Sequence, residues 1–493
     1  MIRKTARLLL RLVTFIVSSF LLVAVTLILA RAISLRGGPD LEWWHSEEIS
    51  SEFRSSDRSG ITTLDQYLAK EHAVFRELQQ LVESHAGEID PRLVSRYRTG
   101  SRSYPDKSGQ NLNRSKQFFP EVVRGGVLLL HGMTDSPYSL RHLASTFLAN
   151  GFYVLNLRMP GHGTIPGELD RLQWQDWLAA VELGAAHVAS RLGAGQPFYI
   201  LGYSNGGSLA LKYSLDSIGR KESRTPDRVF LLSPMIAVDP MARFSRWFNW
   251  LGHIDYFEQS RWLDIYPEYD PHKYNSFPMN AGLQSYKLTT TVKEQIQRMA
   301  TRGELQLMPP VLTFQSLVDR TVKTSAVLDD LYEKLPDNGS ELVLFDVNYT
   351  GDLGQYVMPA HKHLMRRVMS EGSANYIATV VTNRSENDPW VAELSQAAGV
   401  PGFVSRNLPY AWPEDVYSLT HVALPFPLHD EVYGLEASGL DTTYPHFGRV
   451  QILGESGALI LPPALLQRLR SNPFYGYIEQ RIVSTIQPDI EDG

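Results

Sequence analysis

Phe198-Tyr199-Ile200-Leu201-Gly202-Tyr203-Ser204-Asn205-Gly206-Gly207-Ser208-Leu209-Ala210-Leu211 is the stretch on which the fold turns. Four apolar residues run into Gly202-Tyr203-Ser204-Asn205-Gly206, and an apolar helical pattern from Leu209 to Leu215 runs out of it. A strand that turns this sharply into a helix leaves no room for side chains beside the bend. Gly202 and Gly206 are therefore read as the structural residues of the turn. The serine between them is forced into a strained backbone geometry with its hydroxyl presented, and Ser204 is the expected nucleophile.

Outward from this turn the pattern repeats. Val127–Leu130, Phe152–Leu155, Phe198–Leu201, Val229–Leu232, Val311–Phe314 and Leu342–Phe345 are short apolar runs separated by helical stretches, and Tyr376–Val381 is a further candidate. Runs that are apolar on both faces predict a mostly parallel sheet covered by helices on both sides, an α/β architecture. With 493 residues the chain has room for one large domain of this kind and substantial additions.

His131-Gly132-Met133-Thr134-Asp135-Ser136-Pro137 follows the first of these strands, 73 residues before Ser204, and Arg158-Met159-Pro160-Gly161-His162-Gly163-Thr164 follows the second. The first resembles the oxyanion loop, and the second the Arg-x-Pro-Gly-His-Gly loop, of the monoacylglycerol-lipase and carboxylesterase branch of the α/β-hydrolase superfamily. The resemblance spans roughly residues 120 to 235 and resumes near 305. It implies the α/β-hydrolase fold, a Ser–Asp–His triad and a lid. It also implies two main-chain oxyanion donors, Met133 and Asn205. His131 and His162 are read as loop structure rather than as proton carriers.

The resemblance places the triad acid after the strand Val311–Phe314, where Asp319 stands; Asp346, after the next strand, is the fallback. The base is usually about 30 residues further on, and here the pattern departs, because Tyr349 to Thr420 occupies that interval. His421, in the compact apolar loop Tyr417-Ser418-Leu419-Thr420-His421-Val422-Ala423-Leu424-Pro425, is the expected base. His361 and His363, at the start of a basic surface helix, and His429 are the alternatives. Neither a metal nor a cofactor is expected: cysteine is absent, no His-Glu-x-x-His occurs, and His361 and His363 lack a suitably spaced third ligand.

Between residues 244 and 277 stand 11 aromatics in 34 residues, against 11% aromatic over the chain. An insertion of this composition between two strands predicts a helical, aromatic-rich lid over residues 236–305. Trp247, Trp250, Phe257 and Trp262 are the expected lining of an apolar substrate pocket.

At the N-terminus Leu12 to Ala30 carries no charge over 19 residues and is bounded by Arg11 and Arg31. That is the length needed to span a bilayer. Arg3, Lys4, Arg7 and Arg11 precede it, and Asp40, Glu42, Glu47 and Glu48 follow. The positive-inside rule then expects a single-pass signal anchor with a cytoplasmic N-terminus and an extracytoplasmic catalytic domain, periplasmic in a Gram-negative cell; a cleaved signal is the competing reading. Removing those four basic residues from the net charge of −6 leaves −10, and such a body offers nucleic acid no basic surface.

The expected organisation is a basic tip and transmembrane anchor over 1–35, an N-terminal extension packed on the core over 36–120, and core segments over 121–235 and 306–493 flanking the lid. The second core segment carries a C-terminal extension. The expected function is serine-dependent hydrolysis of carboxylic esters with apolar acyl groups, such as monoacylglycerols, lysophospholipids or foreign esters. Membrane and lipid ester are then the partners. Thioester hydrolysis or acyl transfer by the same triad, and an inactive membrane-tethered binding module, are the alternatives.

Overall fold

The computed structural model describes residues 2–36, 39–107, 109–238, 255–370, 375–436, 444–448 and 461–487. Ten strands form the central sheet: β1 (Lys116–Phe118), β2 (Gly125–Leu130), β3 (Phe152–Leu157), β4 (Phe198–Tyr203), β5 (Arg228–Leu232), β6 (Val311–Ser316), β7 (Glu341–Phe345), β8 (Ile377–Asn383), β9 (Trp390–Gln396) and β10 (Val404–Ala411). Their spatial order is β10-β9-β8-β7-β6-β5-β4-β2-β3-β1. Strands β2 to β8 pair in parallel, and β1, β9 and β10 join antiparallel at the two edges. The apolar runs of the sequence all fall within β2–β8. This is the α/β-hydrolase fold with a mostly parallel sheet.

Alternate residues of each strand point to opposite faces, and each face has its own core. Leu128, Leu130, Ile200, Leu231 and Leu344 lie on one side with the helices Trp174–Ser190, Asn205–Ser217 and Met279–Arg302. Val127, Leu129, Leu201, Phe230 and Phe345 lie on the other with Arg141–Ala149 and Tyr475–Ile486. Having both faces covered is why the central strands carry so few polar residues.

The segment 236–305 divides in two. Residues 239–254, which include Phe244, Trp247, Phe248 and Trp250, lie outside the described residues. The later part is a 3-10 turn (Asp255–Arg261), a short antiparallel pair (Trp262–Asp264 with Phe277–Pro278) and the helix Met279–Arg302. Ala281, Ser285, Leu288, Val292, Ile296 and Met299 are buried along one face of this helix, and Gly303 ends it at φ 72°. The helix therefore belongs to the main core.

The N-terminal extension is joined to the core by a buried ion cluster. The helix Leu64–Ser84 starts at a capping box, with the Gln66 amide donating to Thr63 Oγ1 and Gln66 Oε1 accepting from the Thr63 amide. It brings Glu71 to Arg158, which also makes a bidentate pair with Glu52 at 2.9 and 3.1 Å. Tyr67 donates to the Arg158 carbonyl, and Phe53, Leu64 and Tyr67 complete the apolar contact. Burial pushes the Glu52 carboxyl up. The Arg158 charge, its hydrogen bonds and the Gly161 and Phe53 amides outweigh that and hold it below the usual carboxylate range. Glu52→Gln leaves Arg158 with Glu71 as its one carboxylate partner among the described residues, so it is expected to cost about 1.5–3 kcal/mol of stability, the range for a hydrogen bond to a charged group, read as a lower denaturation midpoint of the full chain. A midpoint equal to that of wild type would contradict this docking.

One helix among the described residues, Thr5–Ala30 within Ile2–Arg36, is long and apolar enough to cross a membrane. Most of its described apolar side chains are exposed, with Ala24 and Ile28 half-buried.

Candidate active site

The candidates Met133, Ser204 and Asp319 follow the carboxyl ends of the parallel strands β2, β4 and β6. Register aligns Leu130 of β2 and Leu231 of β5 with Gly202 of β4, so the turn after β4 emerges between the ends of its two neighbours. Ser204 stands there at φ 54° and ψ −116°, a conformation that costs of order 1–3 kcal/mol for a residue with a Cβ. The bend is held by main-chain bonds: the Ser204 amide donates to Leu232 O at 3.0 Å, and Ser204 O accepts from Gly207 and Met235. The glycines are fixed by contact distance. A Cβ on Gly206 would lie 2.1 Å from Leu130 O, and one on Gly202 would lie 2.3 Å from Gly206 O.

Asp319 follows β6 by three residues and is buried. Its Oδ1 accepts the Thr321 and Val322 amides at 2.8 and 3.0 Å. Its Oδ2 accepts His421 Nδ1 at 2.9 Å across 102 residues of sequence, and Gln315 Nε2 at 3.2 Å. Burial pushes this carboxyl up; the facing His421 charge and hydrogen bond, with the two amides, bring it below its ordinary value. Asp319 is thus set up as an anion that faces imidazole Nδ1.

His421 is 5% exposed, on a loop fixed by its neighbours. Ser316 Oγ donates to Leu419 O at 2.9 Å, Thr420 Oγ1 donates to Leu469 O, and Tyr203, next to the nucleophile, lays its ring 5.4 Å from the imidazole. Among the described residues neither Ser204 Oγ nor His421 Nε2 makes a hydrogen bond, to each other or to a third group.

Met133 sits in the loop after β2, and Asn205 opens the helix after Ser204. The loop is shaped by His131, whose Nδ1–H donates to Gly132 O at 2.9 Å while Nε2 accepts the Met159 amide at 3.1 Å. Burial holds this imidazole well below its usual pKa, and the nearby His162 adds to the effect. His162 donates to Pro160 O and is pushed down to about 4 by burial. Both histidines hold loops.

Residues 121–349 match the family model described as serine aminopeptidase, S33. This segment is similar to that family of α/β hydrolases. A thermostable monoacylglycerol lipase of Bacillus sp. (strain H-257) is 37% identical over 111 residues, 22% of this chain and 41% of the lipase. The chain thus matches less than half the length of that curated relative. Among solved structures, a monoacylglycerol lipase of Paleococcus ferrophilus is 17% identical with a TM-score of 0.36, over 51% of this chain and 96% of that one. A carboxyl esterase of Bacillus coagulans is 13% identical with a TM-score of 0.36, over 52% and 92%.

The remaining candidates lie elsewhere. Asp346 caps the turn after β7, accepting the Val347 amide, Tyr349 Oη and Thr382 Oγ1, and burial raises it to about 6. His361 and His363 lie on the surface helix Pro359–Val368, and His429 is exposed beside His142. Trp262 is buried against His45, with ring centroids 4.6 Å apart, and does not line the cavity beside the site. Trp247 and Trp250 lie outside the described residues, and the side chain of Phe257 is not described.

That cavity lies between Thr134, next to Met133, and Val422, next to His421; Ser204 itself is not on its wall. Its aromatic lining comes from other residues than those expected: Tyr266, Tyr269 and Tyr274 of the 236–305 segment, with Phe426 and Tyr433 from the chain after His421. Three cations are unexpected: Lys273, Arg468 and Arg470. Gln315, which steadies Asp319, was also not singled out by sequence; its only signal is a polar residue at the end of an otherwise apolar strand.

Proposed function

We propose that the chain is a serine hydrolase of carboxylic esters, with Ser204 as nucleophile, His421 as general base and acid, and Asp319 as the anion that orients the imidazole. The observation that carries this is the buried 2.9 Å contact of His421 Nδ1 with Asp319, on a loop that also meets Tyr203, the residue preceding the strained serine. With Nδ1–H donated to Asp319, Nε2 carries the lone pair that accepts the Ser204 proton. Ser204 Oγ then attacks the ester carbonyl, and the charge that develops on its oxygen meets the Met133 and Asn205 amides. As the tetrahedral adduct collapses, His421 returns the proton to the departing alkoxide, leaving the acyl chain on Ser204. Water, deprotonated by the same imidazole, repeats the sequence and releases the acid.

The helix at the N-terminus is proposed as an uncleaved anchor with its basic end in the cytoplasm. It would keep the catalytic domain beside a lipid surface, which fits ester substrates with apolar acyl chains. The monoacylglycerol lipase matched over 111 residues supports the same substrate class. A panel of p-nitrophenyl esters from acetate to decanoate tests it. The decanoate is expected to exceed the acetate in kcat/KM by at least about tenfold, because each buried methylene is worth roughly 0.8 kcal/mol. Equal values would remove the apolar acyl preference.

A further inference from the structure

The cavity beside the site is not the apolar pocket that an aromatic lid alone would make. Lys273, Arg468 and Arg470 line it, and among the described residues Asp270 is the one carboxylate on its wall. Asp270 is already engaged, since its Oδ1 accepts Tyr433 Oη at 2.6 Å and the amides of His272 and Lys273. Lys273 is matched by Asp135 at 3.0 Å.

The two arginines have no such match. Arg468 donates to Thr321 Oγ1 at 2.9 Å, and Arg470 to the Leu465 carbonyl at 3.3 Å. Among the described residues neither guanidinium has a carboxylate within ion-pair distance; Arg470 neighbours the Tyr269 hydroxyl, and its Nε is buried without a geometric hydrogen-bond partner. Burial pulls Arg468 below its ordinary value despite attraction from Tyr203 and Asp319. Two half-buried guanidinium groups without counterions carry a desolvation cost that an incoming anion relieves. Their planar donors suit the oxygens of a phosphate or carboxylate.

Position then says which part of the substrate meets them. The imidazole must deliver its proton to the leaving alkoxide, so the alcohol portion of the ester lies on the histidine side of the nucleophile. The cavity is on that side: Val422 is on its wall, and Arg468 reaches Thr321, two residues from Asp319. Its volume of about 190 Å³ is below the range usual for drug-sized ligands and suits a small polar head group.

We infer that Arg468 and Arg470 bind a phosphate or carboxylate carried by the alcohol portion of the ester, so that the preferred substrates are monoacyl esters of an anionic alcohol. This rests on the assignment of Ser204, Asp319 and His421 as an ester-cleaving centre. The reaction is then hydrolysis of the acyl–oxygen bond, with the fatty acid and the anionic alcohol as products. The phosphate or carboxylate itself is untouched.

The experiment compares 1-lauroylglycerol 3-phosphate, 3-O-lauroylglycerate and uncharged 1-lauroylglycerol on the full chain in a non-ionic detergent. At least one anionic ester is expected to exceed the neutral one in kcat/KM by about tenfold or more, and the two arms distinguish phosphate from carboxylate. In Arg470→Gln and Arg468→Gln that ratio is expected to fall about tenfold, with partial recovery in Arg470→Lys. Equal kcat/KM for charged and uncharged esters would overturn the inference, and so would a preference that survives in both glutamine variants. Titration of Ser204→Ala protein with glycerol 3-phosphate, glycerate and glycerol separates the two layers. Saturable binding of an anion but not of glycerol, in a protein whose wild type hydrolyses no ester, would keep the cavity assignment and sink the hydrolase reading. No binding of either anion up to about 10 mM would overturn the cavity assignment whatever the activity.

Discussion

Alanine at position 204 is expected to lower kcat for ester hydrolysis by about 10⁴-fold or more while leaving the melting temperature nearly unchanged. The first half follows from the role proposed for Oγ: without it there is no acyl-enzyme, because the neighbouring Tyr203 hydroxyl is directed to the His421 carbonyl, and only the oxyanion amides and binding contacts remain. The second half follows from the local structure. Ser204 is held by its own main chain, through the bonds to Leu232, Gly207 and Met235, and its hydroxyl has no partner among the described residues. Alanine adopts the same positive-φ conformation with the same Cβ, so the strain at φ 54° is carried over and not relieved. Turnover and a thermal scan on the same preparation check both halves. Loss of activity accompanied by loss of fold would mean that the serine is structural.

Asp319→Asn is expected to cost about 10⁴-fold in kcat, nearly as much as His421→Ala, although it removes no atom that touches substrate. Asp319 faces donors on both oxygens: His421 Nδ1 on one and the Thr321 and Val322 amides on the other. An asparagine must turn its NH2 toward one of these sets. Turned toward the amides, it opposes two N–H groups. Turned toward His421, it makes Nδ1 the acceptor and moves the proton to Nε2, where it blocks acceptance of the Ser204 proton. The wrong tautomer, rather than a lost charge alone, is the source of the effect. If Asp319→Asn retained a tenth of wild-type turnover while Asp346→Asn did not, the acid would be Asp346.

Much of this was legible in the sequence because it is local. Strands β2 to β8 are covered on both faces, and their apolar runs register that directly. The turn at Ser204 is a contact problem between Gly202, Gly206 and Leu130, and it appears in the chain as small residues at fixed offsets. The position of the histidine was less legible. The interval before it is filled by the helix Pro359–Val368 and by strands β8, β9 and β10. Strand β10 is largely exposed, with Val404, Ser405, Arg406 and Asn407 all at the surface, so no apolar alternation marks it.

Long-range charge placement was not legible at all. Arg158 could be read as part of a loop motif, but its partners Glu52 and Glu71 stand 106 and 87 residues away. Arg468 and Arg470 stand in a leucine- and proline-rich stretch, and only its packing sets Arg468 against Thr321 and both arginines on the cavity that Thr134 also lines. The aromatic excess over 244–277 is divided by the fold: Trp262 packs on His45, Tyr274 bonds the Thr164 amide, and Tyr266 and Tyr269 reach the cavity. Composition alone does not separate those uses.

Labelling of the full chain with a fluorophosphonate, followed by peptide mass mapping, tests the central claim most directly. The adduct is expected on the peptide containing Ser204, and none is expected in Ser204→Ala. An adduct on a different residue, or ester hydrolysis that persists in Ser204→Ala, would contradict it.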